Sequence, residues 1–190
     1  ISEFIDPSLC WDDITWLKSV TKLPIILKGV ACGLDTVMAY NMGCDGVVLS
    51  NHGGRQLDTA RSGIEILPEA VNALNKNDQN WRSRFEVYVD GGIRRGSDIF
   101  KALALGATAV GIGRPVLYSL ASYGQPGVER MCSLFKEELT MVMRLMGTPT
   151  IADITQNHVL YSNLMTHVPA QARDHLQLDT YEPLRPATKI

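Results

Sequence analysis

The stretch Gly46-Val47-Val48-Leu49-Ser50-Asn51-His52-Gly53-Gly54-Arg55-Gln56-Leu57-Asp58 decides how this chain is read. Its opening apolar run is bounded by turn formers, the pattern of a short buried strand. His52 therefore sits where a strand gives way to a loop. Gly53 and Gly54 let the backbone turn sharply or approach a ligand closely. Arg55 follows three residues after the histidine, so one compact loop can present both. A base beside a bidentate anion clamp suits proton or hydride removal next to a carboxylate. The plainer alternative is a polar strand-end loop whose His and Arg are merely solvated.

Working outward, the same alternation recurs on both sides. Upstream, Asp6 or Ser8 can cap a helix with Pro7 in its first turn, and Trp11, Ile14, Leu17 and Val20 make an apolar stripe on it. Leu23-Pro24-Ile25-Ile26-Leu27-Lys28-Gly29 reads as a strand, followed by a helix over Leu34 to Met42 that Gly43 stops. Downstream, Ile64 to Leu74 is helical in pattern, with Pro68 marking its early part or a kink, and Asn75 to Arg84 reads as a polar loop. Phe85 to Asp90 is a third strand, and Ser97 or Asp98 caps the next helix, which runs through Ala104 to a stop at Gly106. Ala109 to Gly113 is a fourth strand, and Gly127 to Met146 a long amphipathic helix.

Short apolar strands alternating with helices imply a parallel sheet covered by helices. Lys28, the Ser50 to Arg55 loop, Asp90 to Arg94 and Gly113-Arg114 all fall at C-terminal strand ends. In a β/α barrel those ends share the face that carries the active site. Backbone N–H groups around Gly91, Gly92 and Gly113 can approach phosphate oxygens there, with Arg94 or Arg114 supplying charge. No GxGxxG opens a helix after a strand, and no GK[ST] is present, so neither a Rossmann fingerprint nor a P-loop is read.

The 190 residues, 45% hydrophobic with a formal net charge of −2, suit one globular domain. That balance lacks the basic footprint of a nucleic-acid binder, and no run of eighteen apolar residues suggests a membrane span. Cys10, Cys32, Cys44 and Cys132 show no CxxC spacing and read as small apolar residues in a reducing compartment. His52, His158, His167 and His175 form no metal-spaced cluster. The chain opens Ile1-Ser2-Glu3-Phe4-Ile5, without Met and without signal-like regions, and is expected to be the downstream part of a longer protein.

Four segments, Leu23 to Val30, Ser50 to Asp58, Asp90 to Gly96 and Gly113-Arg114-Pro115, resemble the FMN-dependent L-2-hydroxy acid dehydrogenase/oxidase family, which includes glycolate oxidase and the flavocytochrome L-lactate dehydrogenases. The resemblance runs from about Asp6 to Ile154. It implies an α/β fold, the C-terminal half of a TIM (β/α)8 barrel with about four βα units over residues 1–154. Beyond the resemblance, residues 155–190 have weak periodicity and prolines at Pro169, Pro183 and Pro186, and are expected to form an extended tail, with packing on a neighbouring subunit as one role for it. The resemblance implies FMN as cofactor, with haem only if a cytochrome domain lies upstream. Lys28 would sit by the flavin N1 and C2 carbonyl, and Ser50 would contact the flavin as well. His52 would be the active-site base, taking a proton in either a hydride or a carbanion account, and Arg55 would hold the substrate carboxylate. Asp90, Gly91, Gly92, Arg94, Gly113 and Arg114 would bind the ribityl chain and phosphate. A cation at the electron sink, a base at the substrate carbon and a fork on the carboxylate make one chemistry.

The family's first barrel half supplies further strands, substrate-binding tyrosines, a second arginine and an aspartate paired with the histidine, none of which is in this sequence. A half-barrel leaves open sheet edges, so the chain is expected to bind FMN poorly alone and to work with its missing half. The leading reading is oxidation of an L-2-hydroxy acid, L-lactate above glycolate, because Ser122-Tyr123-Gly124 and the last helix look more like the fungal lactate type. A homo-oligomer, a tetramer by resemblance, is implied. The lactate type would place the protein in mitochondria or cytoplasm, the glycolate type in peroxisomes, and Thr188-Lys189-Ile190 only faintly resembles a peroxisomal tripeptide. Two other classes stay open at this point: a phosphate-binding isomerase or aldolase with Lys28 as Schiff-base lysine, and a non-catalytic fragment.

Overall fold

The computed structural model describes residues 8–57 and 59–167. Within them the order is α1 (Asp12–Val20), β1 (Ile26–Val30), α2 (Gly33–Asn41), β2 (Gly46–Leu49), α3 (Gly63–Asn77), β3 (Glu86–Asp90), α4 (Gly96–Ala104), β4 (Ala109–Gly111) and α5 (Arg114–Leu145). The four strands form one sheet in the order β1-β2-β3-β4, and every neighbouring pair is parallel. Consecutive parallel strands joined by helices are the repeating unit of a β/α barrel, and this sheet is an arc of one.

The two faces of the sheet differ in kind. Val47 and Leu49 of β2 and Val87 and Val89 of β3 are completely buried, together with Ile66, Leu67, Ala70 and Leu74 of α3. Strand residues alternate faces, so Lys28, Val48, Tyr88 and Asp90 lie on the other side, where none is fully buried. The helix-covered face holds the core, and the opposite face is the inner wall of the barrel. Neither β1 nor β4 has a partner on its outer side among the described residues.

α3 is set by its first turn. Glu65 accepts the Ser62 backbone N–H at 2.7 Å, as in a capping box. Gly63 then brings the helix start onto the ends of β2 and β3: a Cβ there would lie 2.3 Å from the Leu49 carbonyl oxygen and 3.0 Å from Val89. The sequence placed Asn75 to Arg84 in a polar loop, but α3 continues to Asn77 through Pro68, and Trp81 in the following 3-10 turn is only 1% exposed. Its indole N–H is satisfied by Asn75 at 2.8 Å and Arg82 stacks on its ring, so a core anchor sits inside a polar segment. Nearby, the Tyr40 hydroxyl donates to Asp78, and the Arg84 guanidinium lies 3.6 Å over the Tyr40 ring.

Other boundaries shift for local reasons. α1 starts at Asp12 rather than after Asp6 or Ser8; Asp6 lies outside the described residues, and Asp13 accepts the Cys10 N–H. Val20 stands out of the expected stripe, mostly exposed. α4 begins at Gly96, because Asp98 reaches back to the N–H groups of Arg94 and Arg95 at 2.9 Å each. The last helix begins at Arg114, thirteen residues ahead of the expected Gly127, and breaks at Gly124, where φ is 62° and ψ −149°. The described part of the tail is not extended: 3-10 turns at Gln156–His158 and Ser162–His167 return Val159 and Leu164 to the core. Residues 168–190, with the C-terminal tripeptide and any contact to another subunit, lie outside the described residues.

Two outcomes follow. Gly63→Ala forces a methyl into backbone and is expected to cost about 1–3 kcal/mol in urea unfolding with the fold retained. The Tyr40 hydroxyl first, then the Asn80 N–H, hold the Asp78 carboxyl below its ordinary range. A group with a lowered folded pKa adds stability that is complete above its unfolded value and is lost as pH falls through the folded one. Asp78→Asn is therefore expected to lower the urea midpoint at pH 7, with the difference fading below about pH 4.

Candidate functional site

Three strand ends meet at Lys28. β1 carries a bulge between Lys28 and Val30, with Gly29 at φ +98°, a conformation that side chains resist. The bulge brings the Lys28 ammonium to the next two strands: it donates to the Ser50 hydroxyl at 2.9 Å and pairs with Asp90 at 2.8 Å. Ser50, 4% exposed, also accepts the backbone N–H of His52 at 3.0 Å. Lys28, Ser50, His52 and Asp90 are thus one connected set at the C-terminal mouth.

The His52 loop is shaped by its own residues. Asn51 accepts the Gly54 N–H at 3.1 Å, closing a 3-10 turn over His52–Gly54. His52 sits at φ 58°, a left-handed backbone in which His is over-represented among non-glycine residues. Its imidazole is exposed and has no hydrogen-bond partner among the described residues. The fourth strand end closes on this loop, for Arg114 donates to the Gly53 carbonyl at 3.0 Å. Asn51 and Gly29 escaped the sequence reading; an Asn three residues ahead of a glycine and a Gly after a strand lysine were the available signals.

Arg55 and Arg94 are exposed, and neither guanidinium has a hydrogen bond or ion pair among the described residues. Gly91 and Gly92 adopt φ +84° and +79° at the end of β3. A Cβ at Gly92 or Gly113 would meet nothing within 4 Å, and one at Gly91 only Asn51 at 3.8 Å, so these loops border open space. Of the residues expected at the site, Lys28, Ser50 and Asp90 are joined directly, Ser50 holds His52, and Arg114 touches the His52 loop; Arg55, Gly91, Gly92 and Gly113 lie on the adjoining strand-end loops, and Arg94 stands two residues ahead of α4.

The residues present fit a phosphorylated, polyhydroxylated cofactor. One carboxylate oxygen of Asp90 faces Lys28, while the other, Oδ1, is buried with no partner among the described residues. A buried acceptor without a donor is costly, and a ligand hydroxyl would relieve it. Lys28 is about half exposed and held by a carboxylate and a hydroxyl, unlike the apolar pocket that activates a Schiff-base lysine. No group of three His, Cys, Asp or Glu is placed to hold a metal among the described residues, and none of their helices is long and apolar enough to cross a membrane.

Comparison with known proteins gives a consistent picture. A family model described as FMN-dependent dehydrogenase matches residues 1–161. The chain is 47% identical over 182 residues to the L-lactate dehydrogenase (cytochrome) of Saccharomyces cerevisiae, covering 96% of this chain and 30% of that protein. It is 48% identical over 166 residues to the peroxisomal (S)-2-hydroxyacid oxidase GLO3 of Arabidopsis thaliana, covering 87% and 44%. Among solved structures, the flavin-binding domain of baker's yeast flavocytochrome b2 superposes with a TM-score of 0.81 at 45% identity, over 98% of this chain and 47% of that one. A mandelate oxidase gives 0.72 at 42%, over 80% and 44%. The chain therefore spans less than half the length of these relatives. With a match that takes in all four strand ends meeting at Lys28 and His52, the chain belongs to the FMN-dependent dehydrogenase family.

Proposed function

We propose that the protein carrying this chain oxidises a small L-2-hydroxy acid to the 2-oxo acid with FMN. The observation that carries this reading is the Lys28–Ser50–Asp90 set, with the buried Asp90 oxygen left for a ligand hydroxyl and the His52 loop hung from Ser50. FMN, when bound, supplies the two-electron acceptor. Lys28 offers a positive charge where negative charge would gather on reduction. Asp90 receives the ribityl chain, and Gly91, Gly92 and Gly113 leave room for the phosphate, with Arg94 and Arg114 as its cations. His52 takes a proton from the substrate, and Arg55, unengaged among the described residues, holds the substrate carboxylate through two parallel hydrogen bonds.

L-Lactate is the substrate favoured here. Similarity to the yeast cytochrome-linked enzyme extends over 96% of the chain, against 87% for the plant oxidase, so it reaches further along the chain than the plant match. The open outer sides of β1 and β4, with Ile26 of β1 43% exposed, support a second requirement: barrel closure by further strands before turnover.

The decisive measurement is a visible absorption spectrum of the native gene product before and after anaerobic L-lactate. Flavin bands that bleach are expected; a protein that stays colourless with FMN added refutes the proposal. His52→Asn should lower kcat about 10²–10⁴-fold, and Arg55→Lys should lower kcat/KM about tenfold or more. Residues 1–190 purified alone should bind FMN poorly and turn over no L-lactate, and robust turnover by that chain would remove the need for a second barrel half.

A further inference from the structure

Two consecutive arginines, Arg94 and Arg95, end the loop after β3, and among the described residues only Arg95 has a side-chain partner. Arg95 turns away from the strand ends to Glu138 of α5. Its Nη2 lies 2.8 Å from Glu138 Oε1, and its Nε donates to Oε2 at 3.1 Å, a two-pronged contact that fixes the guanidinium in orientation. The same Oε2 accepts the backbone N–H of Gly96 at 2.8 Å. The helices pack closely here: a Cβ on Gly96 would lie 2.3 Å from the Leu139 nitrogen and 2.6 Å from the Glu138 Cβ. Position 96 must be glycine for that carboxylate to reach the start of α4.

The donors of the loop are thereby divided. Asp98 consumes the N–H groups of Arg94 and Arg95, and Glu138 that of Gly96. An anion at the strand ends is left the backbone ahead of Arg94 and the Arg94 guanidinium, which has no partner among the described residues. The Gly96 N–H, then Arg95, hold the Glu138 carboxyl below its ordinary range, so it stays charged at neutral pH. Beside the pair lies an open groove of about 190 Å³ lined by Arg94, Arg95 and Glu138 together with Pro115, Leu134 and Phe135, so an Arg95 released from Glu138 has room to move toward Arg94.

We propose that Glu138 is a positioning residue for the phosphate end of the flavin site: it holds Arg95 and the Gly96 N–H against α5, so that Arg94 alone of the pair meets the phosphate. The inference rests on the flavin reading above and adds a residue that would touch neither cofactor nor substrate. Loss of Glu138 frees Arg95, loosens the loop and weakens the grip on phosphate while leaving the isoalloxazine and ribityl contacts at Lys28 and Asp90 in place.

The test compares FMN with riboflavin, which lacks the phosphate, by fluorescence titration of the native gene product and its variants. Wild type is expected to prefer FMN strongly. Glu138→Ala should weaken FMN binding about tenfold or more and change riboflavin binding less than about twofold. Glu138→Gln keeps an acceptor for Gly96 but not the charged fork to Arg95, and should fall between the two. Equal weakening of both flavins by Glu138→Ala would mean a general packing role, and an unchanged FMN-to-riboflavin ratio would mean no role; either overturns the inference. Should Glu138→Ala fail to fold, Glu138→Gln decides alone, a wild-type ratio overturning the proposal. A wild type that binds neither flavin, or both equally, refutes the flavin or phosphate reading itself, and the role of Glu138 with it.

Discussion

A single ammonium group ties the site together. Lys28 touches groups from two other strand ends, the Ser50 hydroxyl and the Asp90 carboxylate. With half its surface in solvent, the ion pair adds little to stability, on the order of 0–1 kcal/mol. Its value is geometric. It sets the mutual position of three strand ends, and through Ser50 it reaches the backbone of His52. The bulge at Gly29 makes that reach possible, so the chemistry depends on a backbone irregularity in a strand that hydrophobic patterning treats as ordinary.

The parts of the fold that were legible in the sequence are those in which one physical signal dominates. β2 is a buried apolar run, β3 alternates the buried Val87 and Val89 with more accessible residues, and both end in turn formers and the polar residues that define the mouth. Lys28, His52 and Asp90 could be placed on one face because parallel strands of similar length bring their C-terminal ends together, whatever lies between. What stayed hidden depends on tertiary contact. Trp81 sits among polar residues, and only the partners Asn75 and Arg82 show why burial suits it. The first segment of α5 leaves Leu117, Tyr118, Leu120 and Tyr123 exposed, so no stripe marked it as a helix. The start of α4 is set by Asp98 and Glu138 acting from inside that helix and from the next, which no single-helix signal announces.

The sheet also explains why a chain of this length can hold half of a site. Helices cover one face, most fully over β2 and β3, and that face contains nearly all of the core. The inner face keeps its polar groups, Lys28 and Asp90, near solvent. The arc is thus built from its outer layer inward, and the wall that carries the candidate site takes little part in holding it up.

The contact between Arg114 and the Gly53 carbonyl joins residues 61 positions apart, and that between Lys28 and Ser50 spans 22. Neither can form until the intervening βα units have docked in register, and closing such long loops costs entropy before any contact repays it. The mouth therefore acquires its geometry only with the sheet in register, and loses it when an outer strand frays. Ligand binding at the mouth would then report on completed folding, and a polypeptide with every helix in place but its strand ends out of register would be silent.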